Sequence, residues 1–219
     1  MSGKNCNVYI SLIIIMLSVP SFAQHQISVA PAIGLYVYNS ENSLKVMGDK
    51  NYLFNYGFEL SYKNKNILGY NIQVDYSYLY SKIGEVLKFI RTGEGGPEPI
   101  GVSYSDVSLS LNTIDISVNG DLGSFFSFGF GPSFSLVNKS IIFDYANFVD
   151  RLASFNIGIN GLINMRIPLS KNAEYWYFYS GLKIRYLHGL FYDEGLRDLE
   201  NYNQNFVTAI LTIGIGYSF

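Results

Sequence analysis

The chain has 219 residues, and 15 Lys and Arg stand against 17 Asp and Glu, a formal charge of −2 that argues against a nucleic-acid surface or a polybasic membrane patch. One cysteine, Cys6, leaves nothing for a disulfide framework. Charged residues make up only 15%, against about 25% in ordinary soluble domains, while Tyr (19) and Phe (16) are abundant, so little of this surface is built for water.

Residues 1–23 read as a secretory signal peptide. Lys4 supplies the positive start, Val8 to Val19 the apolar stretch, and Ser21 and Ala23 the small-x-small cleavage pattern before Gln24. The apolar run is shorter than the roughly 18 to 20 residues of a membrane-spanning helix. Cys6 precedes that run, which argues against a lipoprotein. The expected mature domain is residues 24–219. Without Lys4 it carries 14 basic against 17 acidic residues.

Eight segments of period-two alternation follow, each the mark of a strand with one apolar face. The first, about 26 to 38, sets Ile27, Val29, Ile33, Leu35 and Val37 against Ser28, Ala30, Ala32 and Gly34. The second, about 52 to 62, sets Tyr52, Phe54, Tyr56, Phe58, Leu60 and Tyr62 against Asn55, Gly57, Glu59 and Ser61. The third starts at Ile67 and continues through Tyr70, Ile72, Val74, Tyr76, Tyr78 and Tyr80, opposite Asn71, Gln73, Asp75 and Ser77. The fourth, about 101 to 118, is irregular. Val107, Leu109 and Leu111 are odd-numbered, whereas Ile114, Ile116 and Val118 are even-numbered. The expectation is a β-bulge near Asn112 or a part that protrudes beyond the bilayer.

The fifth, about 125 to 136, alternates Phe126, Phe128, Phe130 and Phe134 with Gly and Ser. The sixth, about 152 to 167, has Phe155, Ile157, Ile159, Ile163, Met165 and Ile167 against Asn156, Gly158, Asn160, Asn164 and Arg166. The seventh, about 175 to 190, has Trp176, Phe178, Leu182, Ile184 and Tyr186 against Tyr175, Tyr177, Tyr179, Gly181, Lys183 and Arg185. The last runs to Phe219 through Val207, Ala209, Leu211, Ile213, Ile215 and Tyr217, with Phe206 and Ile210 as exceptions on its small, polar face. Pro31 and Pro132 each remove a ladder donor, and bulges are expected to absorb them.

Short connections (63–66, 119–124, 168–174) alternate with long ones (39–51, 82–100, 137–151, 191–205). Transmembrane barrels have short periplasmic turns and long external loops, so both termini are expected in the periplasm. A soluble sandwich alternates too, but its water-facing side is rich in Lys and Glu. Here that side is mostly Gly, Ser, Asn and Thr, which suits the narrow lumen of an eight-stranded barrel. Aromatics cluster at both predicted interfaces: Tyr62, Phe126, Trp176, Phe178, Tyr217 and Phe219 at one, Tyr52, Phe54, Tyr78, Tyr80 and Tyr186 at the other.

The whole mature segment resembles the small eight-stranded outer-membrane β-barrels: the porin-like barrel domain common in Bacteroidota and the outer membrane protein X and OmpA-barrel types. The resemblance implies an all-β, antiparallel up-and-down transmembrane barrel in the outer membrane of a Gram-negative envelope. It also implies that the assembly machinery reads the C-terminal signature Leu211, Ile213, Ile215, Tyr217 and Phe219. The implied role is structural or protein-interacting, without turnover, cofactor or metal. Outer-membrane lipid surrounds a monomer, and there is no nucleic-acid partner.

On the lumen parity, Glu59, Asp75 and Asp115 are expected to pair with Arg166, Lys183 and Arg185, since unpaired charge in so narrow a space is costly. Such a network makes the lumen plugged and non-conducting. Three alternatives remain: a barrel subunit of a secretion apparatus of the PorT type, a narrow channel, and a lipid A-modifying enzyme. The enzyme needs a base-activated nucleophile. His188 near Asp193 and Glu194, with His25, are its only candidate groups, and Leu190 stands where a Ser is needed. There is no His/Cys cluster for zinc. The acidic stretch Asp193, Glu194, Asp198 and Glu200 lacks the EF-hand spacing and reads as a solvated loop. Residues 82–103 read as a tall hairpin turning at Gly93-Glu94-Gly95-Gly96-Pro97, whose edge offers a docking surface for a protein partner.

Overall fold

The computed structural model describes residues 25–38, 52–67, 70–89, 102–143, 148–170, 173–191 and 202–219. They form eight strands: β1 (His25–Tyr38), β2 (Tyr52–Ile67), β3 (Tyr70–Phe89), β4 (Val102–Leu122), β5 (Phe126–Phe143), β6 (Phe148–Ser170), β7 (Ala173–Phe191) and β8 (Tyr202–Ser218). Each pairs antiparallel with its sequence neighbours, and β8 returns to β1 to close the barrel. The all-β, eight-stranded up-and-down architecture expected from the alternation is the architecture found.

One circuit of the ladders measures the stagger. From Ser28 the partners run through Ser61, Asp75, Asp115, Ser133, Gly158, Leu187 and Phe206 to Tyr38, ten residues along β1 from the start. Eight strands with that shear tilt by about 40°. The tilt brings residues far apart in sequence to one height in the lumen.

Alternation divides the side chains cleanly. Ile33, Ile159 and Ile213 are exposed on the outer wall, while Asp75, Thr113 and Thr208 are fully buried within. A closed barrel with an oily exterior satisfies every ladder internally and offers hydrocarbon an apolar face. At the end with the short connections, called the turn end here, Tyr217 stacks on Trp176 (5.0 Å, edge-on) and Tyr175 (5.9 Å). At the loop end Tyr56 meets Tyr80 (5.7 Å), and Tyr76 extends its hydroxyl to donate to Asn112 Oδ1 at 3.0 Å.

The bulge expected near Asn112 is absent. The β4 register runs unbroken through Asn112 against both neighbours, and the shift lies on β3, between Lys82 and Gly84. Leu109 and Leu111 are odd-numbered because they point into the lumen, where they are buried. Apolar residues on both faces, not a slip, produced the change of parity.

The two prolines are taken up without bulges. Register with β8 is kept from Val29 to Ala32, but Ala30 and Pro31 drop out of that ladder while still pairing with β2. Pro132 does the same against β4, between Ser133 and Phe130. Each missing donor opens a two-residue gap on one side only. The facing strands press close beside those gaps: a Cβ on Gly131 would stand 1.9 Å from the Ile116 carbonyl oxygen, and one on Gly214 2.1 Å from that of Val29.

At the loop end β3 runs on to Phe89, β5 to Phe143 and β6 starts at Phe148, where the sequence predicts connections, and at the turn end three further boundaries differ. β2 continues to Ile67 across a bulge at Lys65, so Ile67 closes β2 and β3 begins at Tyr70. β4 runs to Leu122 and turns through Gly123, whose φ of 68° suits glycine. β6 extends to Ser170. The residues expected to be the signal peptide lie outside the described residues.

Beyond the barrel the ladders are unequal. β3 with β4 continues to Phe89 and Val102, β4 with β5 to Ser105 and Phe143, and β5 with β6 to Phe143 and Phe148. In contrast, β2 with β3 stops at Tyr56 and Tyr80, and β6 with β7 at Asn156 and Gly189. Strands β3 to β6 therefore continue as a four-stranded sheet above the loop end.

Candidate functional site in the barrel lumen

Four strands converge their charges at one height. Asp75 on β3 lies directly across from Asp115 on β4, a like-charge pairing that alone would repel. Glu59 on β2 stands beside them. From the far wall β7 sends Lys183, whose Nζ lies 2.6 Å from Glu59 Oε2, 2.6 Å from Asp75 Oδ2 and 3.1 Å from Asp115 Oδ2. Two residues on, Arg185 donates from Nε to both Asp115 oxygens (3.0 and 2.8 Å) and from Nη2 to Oδ2 (2.5 Å).

The remaining lone pairs and protons are largely matched. Ser133 donates to Asp115 at 2.6 Å, Gln73 to Asp75 at 2.8 Å, and Ser77 accepts from Arg185 Nη2 at 2.8 Å. Asn164 joins Gln73 at 3.1 Å and accepts from the Tyr179 hydroxyl at 3.1 Å. All five charged side chains are buried. The three carboxylates lie within 4.8 Å of one another, a spacing compatible with a metal, but the Lys183 ammonium already stands among them.

The structure thus brings together Glu59, Asp75, Asp115, Lys183 and Arg185, and leaves Arg166 out. Arg166 is paired with Tyr179 in the ladder, farther toward the turn end. Its guanidinium crosses the mouth to Gln26 Oε1, donates to Ser127 Oγ at 3.3 Å, and lies 6.0 Å from the Tyr177 ring centre. Parity gave its face correctly but not its height.

A second pair near that mouth was missed. Lys63, buried, donates to Asp121 at 2.9 Å, and Asn71 donates to the same carboxylate at 3.2 Å. The sequence predicts a turn over 63–66, whereas β2 continues through Lys63 to Ile67. Lys63 shares parity with Glu59 and Ser61, and that signal was available.

Toward the loop end the lumen changes chemistry. Tyr36, Leu53, Leu79, Leu109, Leu111, Val137, Leu187, Phe206 and Ile210 form one buried apolar cluster, with the Tyr36 and Phe206 rings 5.0 Å apart. The sequence exceptions Phe206 and Ile210 belong here, together with Leu109 and Leu111. Polar side chains are interspersed at this level: Thr208 lies between Phe206 and Ile210 on β8, Ser81 faces Leu109 across the ladder and donates to Asn55 on β2, and β6 supplies Asn156. Asn156 turns its amide nitrogen back to Ser154 Oγ at 3.1 Å, and its Oδ1 is buried without a partner among the described residues.

The other singled-out residues lie elsewhere. Leu211, Ile213, Ile215, Tyr217 and Phe219 line the outer face of β8. Phe219 exchanges backbone hydrogen bonds with His25 (2.9 and 3.1 Å) and stacks on its ring at 5.5 Å, which joins the seam. His25 also meets the Tyr62 hydroxyl at 2.7 Å. His188 is exposed on the outer wall of β7, while Asp193, Glu194, Asp198 and Glu200 lie outside the described residues, as does the glycine turn 93–97.

No protein-family model matches the sequence, and no curated protein matches it. In fold it is similar to Ail, the attachment invasion locus protein of Yersinia pestis, solved with the heparin analogue sucrose octasulfate. Identity is 10%, the match covers 91% of this chain and 100% of that one, and the TM-score is 0.50. The fold is that of a small outer-membrane β-barrel. Neisserial surface protein A also matches, with 13% identity, 89% and 97% coverage and a TM-score of 0.49. So does OprG of Pseudomonas aeruginosa, with 11% identity, 90% and 96% coverage and a TM-score of 0.45. The barrel is an integral outer-membrane protein that crosses the bilayer by strands. Likeness at these identities speaks for the fold, and function has to be argued from the barrel's own residues.

Proposed function

We propose that this outer-membrane barrel has a structural and protein-interacting role, with a lumen closed to solutes and no turnover. The observation that carries the reading is the filling of the lumen by its own side chains. Arg166 and Tyr177 cover the turn end, the five-charge cluster occupies the middle, and the apolar cluster lies above it. An interior so occupied leaves the outer surfaces to act.

The sheet formed by β3 to β6 beyond the barrel is the surface that fits a partner. Its backbone edge is suited to an extended strand from another protein of the envelope or of a contacted cell. Residues 1–23 export the chain, and the long connections and the 82–103 hairpin face outward. Closure of the barrel within the bilayer leaves no lateral edge there, which supports a monomer in lipid.

Deleting residues 84–99 from the full chain tests the role. Binding to cells and capture of envelope partners are expected to fall while the barrel still folds. Unchanged binding by the folded deletion removes the docking role.

A further inference from the structure

The lumen contains two barriers in series with different chemistry. Resting on the closed-lumen reading, we propose that the apolar ring near the loop end is the barrier to ions, and that it seals a pathway which prefers cations.

The charged tier is a poor barrier by itself. Its groups are donors and acceptors that can exchange one another for an ion and its water. Glu59, Asp75 and Asp115 outnumber Lys183 and Arg185 by one, so the tier carries excess negative charge and already holds an ammonium as its resident cation. A tethered ammonium among three carboxylates marks a place where a free cation is also stabilised.

The apolar members of the ring have nothing to offer an ion. Leu53, Leu79, Leu111, Val137, Leu187 and Phe206 come from six of the eight strands and are buried. None presents a polar side-chain atom to replace a hydration shell, so an ion must either shed its water or force the ring open. A weak point is β6, which supplies Gly158 opposite Leu187 and Asn156 opposite Gly189. Asn156 Oδ1, Asn55 Nδ2 and Thr208 Oγ1, buried beside the ring without a partner among the described residues, are where water enters first when the ring loosens.

Single-channel recording on the purified full chain in planar bilayers, in a KCl gradient, tests the assignment. Leu79→Ser/Leu111→Ser is expected to turn a silent barrel into one with discrete steps whose reversal potential lies toward potassium. Phe206→Ala opens the same ring without adding a polar group and is the second variant should the first not fold. Heat-modifiable migration on gels verifies folding. The charge-neutral chain Glu59→Gln/Asp75→Asn/Asp115→Asn/Lys183→Met/Arg185→Met keeps the ring and is expected to stay silent. Steps in that chain overturn the assignment, as do silence in both folded ring variants and anion selectivity. Steps in the unaltered protein would instead bring down the closed-lumen reading itself.

Discussion

Arg185 and Asp115 form a buried ion pair across the lumen, with Nη2 2.5 Å and Nε 2.8 Å from the same carboxylate oxygen and neither side chain exposed. The partners come from β7 and β4, on different walls of the barrel. In the interior a broken pair leaves an uncompensated charge, whereas removing both ions together costs far less. Asp115→Asn is therefore expected to lower unfolding stability by about 3 to 5 kcal/mol. The double change Asp115→Leu/Arg185→Met should recover most of that loss. Urea unfolding in lipid vesicles, followed by the fluorescence of the single Trp176, measures both. Additive losses would show that the two side chains do not act as a pair.

Lys183 is the internal counter-ion of three carboxylates, and its removal leaves a cage of oxygens within 4.8 Å of one another. The hard, flexible coordination of calcium suits such oxygens. Lys183→Ala is expected to be destabilised in chelator and to regain midpoint stability as millimolar calcium is added. The unaltered protein, with its ammonium in place, should not respond. An equal calcium response in both proteins would mean that the ion acts elsewhere, at the lipid surface for example.

Much of this was legible in the sequence, because period-two alternation survives wherever the two walls differ in chemistry. Glu59, Asp75, Lys183 and Arg185 declared their face by parity alone. The failures share a cause. Leu109, Leu111, Phe206 and Ile210 are apolar on the inner wall, so local pattern mistook a second greasy surface for an irregularity. Height was invisible as well: a ten-residue shear placed Arg166 at the mouth and Lys183 in the middle, and shear is a property of the closed sheet. Packing against the neighbouring strand was equally invisible at Gly216. In the barrel a Cβ there would meet the Tyr177 ring at 2.1 Å.

Two glycines separate close strand approach from mere small size. A methyl on Gly131 would stand 1.9 Å from the Ile116 carbonyl oxygen, beside the ladder gap at Pro132, and backbone cannot swing aside as a side chain can. A methyl on Gly161 meets nothing within 4 Å. Gly131→Ala is expected to cost at least about 1 to 3 kcal/mol, the range for overpacking. Gly161→Ala should stay within about 0.5 kcal/mol of the parent. The folded fraction on unheated gels, then urea unfolding, provides the comparison. Indifference at Gly131 would show that β4 and β5 lie farther apart than described.

Placement in the bilayer rests on the outer wall, and β8 offers its clearest test. Ile213 is half-exposed on that wall, between Val207 at the loop end and the aromatic group of Tyr217 and Phe219 at the turn end. A charge at mid-depth faces hydrocarbon with no water to approach it, and Ile213→Arg is expected to cost about 2 to 4 kcal/mol. Leu169→Arg, also outward but at the turn end of β6, has the interface within reach and should cost about 0 to 1 kcal/mol. Folding yield into vesicles and urea midpoints for the two variants measure the difference. Hydrocarbon thickness enters the comparison directly, so thinner bilayers should narrow the gap. Equal costs at the two positions would mean that the oily wall meets protein instead of lipid.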